Sequence, residues 1–276
     1  MTRKTRREML AALGATTALG LAGCSGNGDG DSGGDGGDGG DGADTPTETP
    51  TEGTGEMTDT PTEGMGEMTD TTGTASVRVA HFSPNAPNVD VYLDGSAVLE
   101  DVPFRAVSGY LEVPAGPHTV GITAAGDPDT VAFEGEVTVE AADYTFAAVG
   151  NLGGDENAFE PLVLEDDNSG VGDDTARIRL VHASPDAPAV DVTASGSAVF
   201  DGVAFGETST GTVPASDYTL GVRGDTESND GDVVADFDVS LNGNTVYTAF
   251  AVGYLTPDDE PADEAFDLQV AQDASF

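Results

Sequence analysis

Cysteine is nearly missing from this chain of 276 residues: Cys24 is the only one. No intrachain disulfide can form, so the folded part must rest on its own apolar core rather than on covalent staples. Basic residues are also scarce, nine against 51 acidic ones. So little positive charge cannot neutralise phosphates, which excludes nucleic acid as a partner. Beyond residue 24 no apolar run reaches the ~20 residues of a bilayer span. There is no Cys/His spacing for zinc, no phosphate-cradling glycine loop before a helix and no dinucleotide fingerprint. No cofactor and no bound metal are expected.

What the chain does have begins at its N-terminus. Residues 2–10 read Thr-Arg-Lys-Thr-Arg-Arg-Glu-Met-Leu, and residues 11–23 are mildly apolar and rich in Ala, Gly and Leu. A charged segment followed by a short apolar one has the form of an export signal rather than a membrane span. Arg6-Arg7 followed by Glu8-Met9-Leu10 resembles a twin-arginine (Tat) signal, and Leu21-Ala22-Gly23-Cys24 resembles a lipobox. The resemblance implies cleavage before Cys24, a lipid on its sulfur and a place on the outer face of the cell membrane. Two acyl-type chains suffice for stable anchoring. The membrane is then one partner, through the lipidated N-terminus.

Without residues 1–23 the chain keeps five basic residues, all arginine, against 50 acidic ones. Such self-repulsion opposes a compact state at ordinary ionic strength. At molar salt the screening length falls to about 3 Å and the repulsion fades. The composition suits a hypersaline solvent and, with the signal, resembles haloarchaeal lipoproteins. Residues 25–74 hold the least apolar stretch: Gly and Asp to residue 44, then Thr, Glu, Pro, Gly and Met. Thr49–Asp59 and Thr60–Asp70 repeat 11 residues with one change. Pro50, Pro61 and the glycines exclude a helix, so residues 25–74 read as a disordered acidic tether. As a Gly-rich coil it would span about 40 Å.

Comparing the chain with itself divides the remainder. Val77-Arg-Val-Ala-His-Phe-Ser-Pro-Asn-Ala-Pro-Asn-Val-Asp-Val91 aligns with Ile178-Arg-Leu-Val-His-Ala-Ser-Pro-Asp-Ala-Pro-Ala-Val-Asp-Val192. Later blocks follow: Val113-Pro-Ala115 with Val213-Pro-Ala215, and Tyr144-Thr145 with Tyr247-Thr248. Two domains are expected, 75–167 and 175–276, joined by a polar segment from Asp166 to Asp174. Alternation in Val77-Val79-His81 and in Val89-Val91-Leu93 marks half-buried strands. Asp94-Gly95 and Asn242-Gly243 read as hairpin turns. Seven or eight strands per copy predict an all-β chain of two tandem β-sandwiches. The repeated block, with the later Val-Pro-Ala and Tyr-Thr segments, resembles the domain of unknown function 4397 family. Val91-Tyr-Leu-Asp-Gly95 with Val113-Pro-Ala-Gly116 also resembles the PEGA surface domain, which implies an immunoglobulin-like or transthyretin-like sandwich.

His81, Ser83 and Asp90 recur as His182, Ser184 and Asp191, a set with the chemistry of a hydrolase. Geometry rather than composition defines such a triad. Strand parity places His81 on the apolar face and Asp90 on the opposite parity from Val89 and Val91. Ser83 precedes Pro84 in a turn, and no Gly-x-Ser-x-Gly elbow is present. His81 and His182 are therefore expected to be satisfied polar groups at strand ends, and no catalysis is expected. Arg78 and Arg179 are expected to pair with Asp90 and Asp191 across neighbouring strands. Asp225–Asp232 is similar to a calcium loop, but its glycine is one place late and no twelfth-position Glu follows. The leading reading is a non-catalytic surface module for adhesion, envelope architecture or ligand capture, with a surface protein or glycan as partner. A surface hydrolase and a solute-binding lipoprotein are the alternatives.

Overall fold

In the computed structural model residues 73–154 and 156–276 are described. Arg6, Arg7, Cys24 and the tether lie outside them. Among the described residues there is no α-helix, only strands, turns and one short 3-10 turn at Pro257–Asp259. The first half contributes β1 (Thr74–His81), β2 (Val89–Leu93), β3 (Ser96–Val102), β4 (Leu111–Pro114), β5 (Gly116–Ala124), β6 (Asp127–Val139), β7 (Asp143–Val149) and β8 (Glu160–Asp166). The second contributes β9 (Thr175–His182), β10 (Val190–Ala194), β11 (Ser197–Val203), β12 (Thr208–Pro214), β13 (Ser216–Gly224), β14 (Val233–Leu241), β15 (Thr245–Val252) and β16 (Asp267–Ser275).

Each half is a sandwich of two four-stranded sheets. Their orders are β4-β1-β7-β8 and β3-β2-β5-β6, then β12-β9-β15-β16 and β11-β10-β13-β14. All ladders are antiparallel except β1 with β7 and β9 with β15. Period-two alternation builds each sandwich. Val77 and Val79 of β1 face Val91, Val120 and Ile122 of the opposing sheet. Ile178 and Leu180 of β9 face Val192, Phe200, Leu220 and Val222. Asp94-Gly95 makes the expected two-residue hairpin between β2 and β3, with φ of 50° and 77°. Its counterpart is Ser195-Gly196.

Asn242-Gly243 is not a hairpin. It carries the chain from β14 in one sheet to β15 in the other. Turn chemistry permits a hairpin there, but all eight residues of β15 are buried. A strand buried on both sides belongs inside a sheet, and β15 lies between β9 and β16.

The other parity of β1 and β9 is also covered. Ala80, Phe82, Ala147 and Val149 pack against Val181, Ala183, Phe250 and Val252. The rings of Phe82 and Phe250 lie 4.5 Å apart. The sheets containing β1 and β9 thus meet face to face, and both halves belong to one compact unit.

Candidate functional site: the repeated motif and the clamp between the halves

The repeated motif spends its polar side chains on its own fold. His81, buried at the end of β1, places Nε2 3.0 Å from the Pro87 carbonyl; His182 does the same at Pro188, also 3.0 Å. A carbonyl can only accept, so Nε2 carries the proton in both rings. Burial lowers both imidazole pKa values, partly opposed by those carbonyls. Ser83 Oγ donates to the Gly150 carbonyl and Ser184 Oγ to that of Gly253, each at 2.6 Å. Both glycines have positive φ, 81° and 78°, and a Cβ there would lie 2.3 and 2.4 Å from the backbone oxygens of Ala158 and Ala265. Only glycine fits such an approach.

The residue after Pro84 and Pro185 ties the same loop. Asn85 accepts from the Leu152 amide at 2.8 Å, and Asp186 accepts from those of Leu255 and Thr256, both at 2.7 Å. Asp90 accepts from the amides of Asp101 at 2.8 Å and Gly126 at 2.9 Å, which hold its carboxyl below the usual range. Asp191 accepts from those of Gly202 at 2.9 Å and Thr226 at 3.0 Å. The serine hydroxyls, imidazoles and Asp90/Asp191 carboxylates thus point to separate backbone groups and do not form a relay.

The expected Arg78–Asp90 and Arg179–Asp191 pairs are replaced by other partners. Parity placed each arginine correctly on the face away from the sandwich core. That face meets the other half rather than water, so each arginine finds its carboxylate there. Arg78, 2% exposed, donates from Nε to Thr145 Oγ1 at 2.8 Å, and its Nη1 lies 2.7 Å from Asp273 Oδ1. Arg179 donates to Thr248 Oγ1 at 3.2 Å and pairs with Asp166. Thr145 and Thr248 pass their own hydroxyl protons to Asp166 at 2.7 Å and Asp273 at 2.6 Å. The result is a pseudo-twofold clamp: each arginine bonds the threonine of its own half and the aspartate of the other.

Tyr110 closes one side. Its hydroxyl donates to Asp166 at 2.6 Å, and the Arg78 guanidinium sits 5.0 Å from its ring centre. Burial pushes the Tyr110 hydroxyl pKa up. Burial also raises that of Asp273, against the pull of Arg78. Two more of the five arginines after residue 24 lie across or beside the joint. Arg105 donates to the Ala265 carbonyl of the second half at 2.6 Å, and Arg177 to the connecting segment at Asp167 O, 2.7 Å.

Sequence reasoning missed the clamp's other members. Thr145 and Thr248 were visible as a repeated pair. The polar run from Asp166 to Asp174 reads as a connecting segment, yet Asp166 ends β8 and is buried. Asp166 and Asp273 stand among so many acids that nothing in the sequence singles them out. Elsewhere, the carboxylates of Asp191, Asp201 and Asp225 come within 4.8 Å of one another. With its amide turned nitrogen inward, Asn229 would donate to Asp201 at 2.8 Å and to Asp191 at 3.1 Å.

The profile described as Domain of unknown function (DUF4397) matches residues 75–193 and 176–275. The chain belongs to the DUF4397 family. The two matches overlap at residues 176–193, and together they cover both sandwich-like halves, whose loops the repeated motif ties. No curated protein sequence matches the chain. Among solved structures, the Bacillus anthracis TIE protein is 9% identical over 65% of this chain and 34% of its own, with a TM-score of 0.22. CBMbc, a family CBM26 module from Eubacterium rectale Amy13K solved with maltoheptaose, is 8% identical over 73% of this chain and 97% of its own, also at 0.22. Likenesses at that score carry nothing over to the DUF4397 pair.

Proposed function

We propose that this protein is a non-catalytic binding module, lipid-anchored outside the cell and carried on an acidic tether. One observation carries the reading: the repeated His, Ser and Asp residues, the best candidates for chemistry, are bonded to separate backbone groups in both copies. A repeat that serves only to lock loops leaves binding as the work of the folded body. The clamp refines that idea. Two independent domains on a string would gain avidity by reaching separate sites. Two halves joined through a buried layer present one rigid body with fixed spacing instead. The Arg6-Arg7 signal and the lipobox at Cys24 support the outer face of the membrane as its place.

Fractionation of cells grown at molar salt tests the placement. Wild-type protein is expected with the membrane and accessible to added protease, and Cys24→Ser protein in the medium or as uncleaved precursor. Wild-type protein recovered from the cytosol with an intact, unmodified N-terminus contradicts the proposal.

A further inference from the structure

The two halves differ at one sandwich edge, in a way their repeat does not lead one to expect. Between the sheets of the first half lies a cavity of about 360 Å³. Its wall is almost wholly apolar and includes Val79, Val91, Leu111, Val120, Phe133 and Phe146. Packed interiors hold few voids larger than a water molecule, so this one is unusual.

Its origin is at the sandwich edge. In the second half the edge strand β12 runs seven residues along β9 and lies against β11. Gly211 of β12 packs there beside Phe200, whose ring plugs the gap: a Cβ added at Gly211 would lie 3.6 Å from it, in ordinary contact. In the first half β4 has only four residues, and Leu111 and Leu99 stand where Gly211 and Phe200 do. The edges stay apart, and Val98, 38% exposed, lines the opening.

We infer that the first half's cavity is a binding site for a neutral, largely apolar small molecule. The inference rests on the binding-module reading and names a ligand class for it. Size supports it, since small-molecule sites occupy about 300–1,000 Å³. Scaling from a benzene held in an apolar void of about 150 Å³ gives a guest of about a dozen non-hydrogen atoms. The polar groups at the wall set the charge of the guest. His118 is already committed, with Nδ1 2.7 Å from Asp94 and Nε2 2.7 Å from the Pro114 carbonyl. Glu112 is the other charged group lining it, and it is exposed. A carboxylate or phosphate head would meet no free cation there. A polar guest would leave its hydrogen-bonding groups unpaired against valine and leucine.

The test uses full-length Cys24→Ser protein, which carries no lipid of its own, at molar salt. The probe is 1-naphthylamine, neutral at pH 7 and, at about 11 non-hydrogen atoms, within the size the cavity admits, read by fluorescence. Saturable binding at about one probe per chain is expected. Val120→Phe, which fills the cavity, should weaken it at least tenfold. Should Val120→Phe not fold, Val77→Ile with Val79→Leu and Val120→Leu installs the second half's own residues and should weaken binding several-fold. Val163→Ala, on an exposed strand face, should change nothing. A folded protein that does not bind the probe, or filled variants that bind as tightly as the parent, overturns the inference. Those results concern the cavity alone, whereas failure of the surface-module reading would show as cytosolic wild-type protein in the fractionation.

Discussion

Histidine is the residue whose environment separates fold from chemistry here. The chain has three. Burial lowers the pKa of His81 and His182, which favours the neutral ring in the folded state. His118 moves the other way, raised chiefly by its hydrogen bond to Asp94. The signs follow by linkage. His81 and His182 give their full stability above the ordinary value of 6.5, and it is lost as pH falls from there through their lowered values. His118 contributes fully below 6.5, and loses its contribution as pH rises through its raised value. Proton NMR should therefore show two imidazoles titrating below 6.5 and one above it. His118→Gln should steepen the loss of melting temperature on acidification. Three coincident titrations near 6.5 would rule out these environments. The histidine positions were legible in the sequence, because strand parity alone sends His81 inward. The carbonyl partner was not, since it sits on a loop whose course depends on the fold.

At the scale of strands, the decisive fact is that β1, β7, β9 and β15 are buried on both faces. One parity builds a sandwich and the other builds the joint. This gives the arginines a value that exposed pairs would lack. Surface ion pairs contribute about 0–1 kcal/mol and are screened by salt. Arg78, Asp166 and Asp273 are at most 3% exposed in their side chains, where screening has little effect. Removing one member of a buried pair leaves a charge uncompensated and costs about 3–5 kcal/mol. Asp166→Ala, which faces both arginines, is expected in that range by denaturant melts. A double-mutant cycle on Arg78 and Asp273 should show coupling, and one on Arg78 and Asp90 none. The opposite pattern would restore the within-half pairing that neighbouring strands suggested. That suggestion failed because alternation says which residues share a face, not what covers it.

For the whole molecule, charge is the dominant quantity. Fifty acidic groups follow residue 24, and four of the five arginines there, Arg78, Arg105, Arg177 and Arg179, bind across or beside the joint. Positive charge has thus been placed where it holds the halves together, while the acidic surface is left to the solvent. Repulsion among those acids should be relieved by salt, and the buried clamp should not depend on it. The melting midpoint is expected to rise steeply from tenths of molar to molar potassium chloride, as one transition for both halves. A midpoint independent of salt would contradict the electrostatic account, and two separate transitions would contradict the single unit.

The sequence by itself determined the strand pattern, the twofold repeat, the sandwich class and the inward histidines. All of these follow from local alternation and from self-similarity along the chain. Only the tertiary structure decided that Asn242-Gly243 links two sheets, that Arg78 meets Asp273 and Arg179 meets Asp166, and that the edge left open between β3 and β4 in one sandwich is plugged by Phe200 in its copy. Each of these depends on which surfaces face one another in space, which local alternation does not carry. An alternating strand carries the same pattern whether its second face meets water or another sheet.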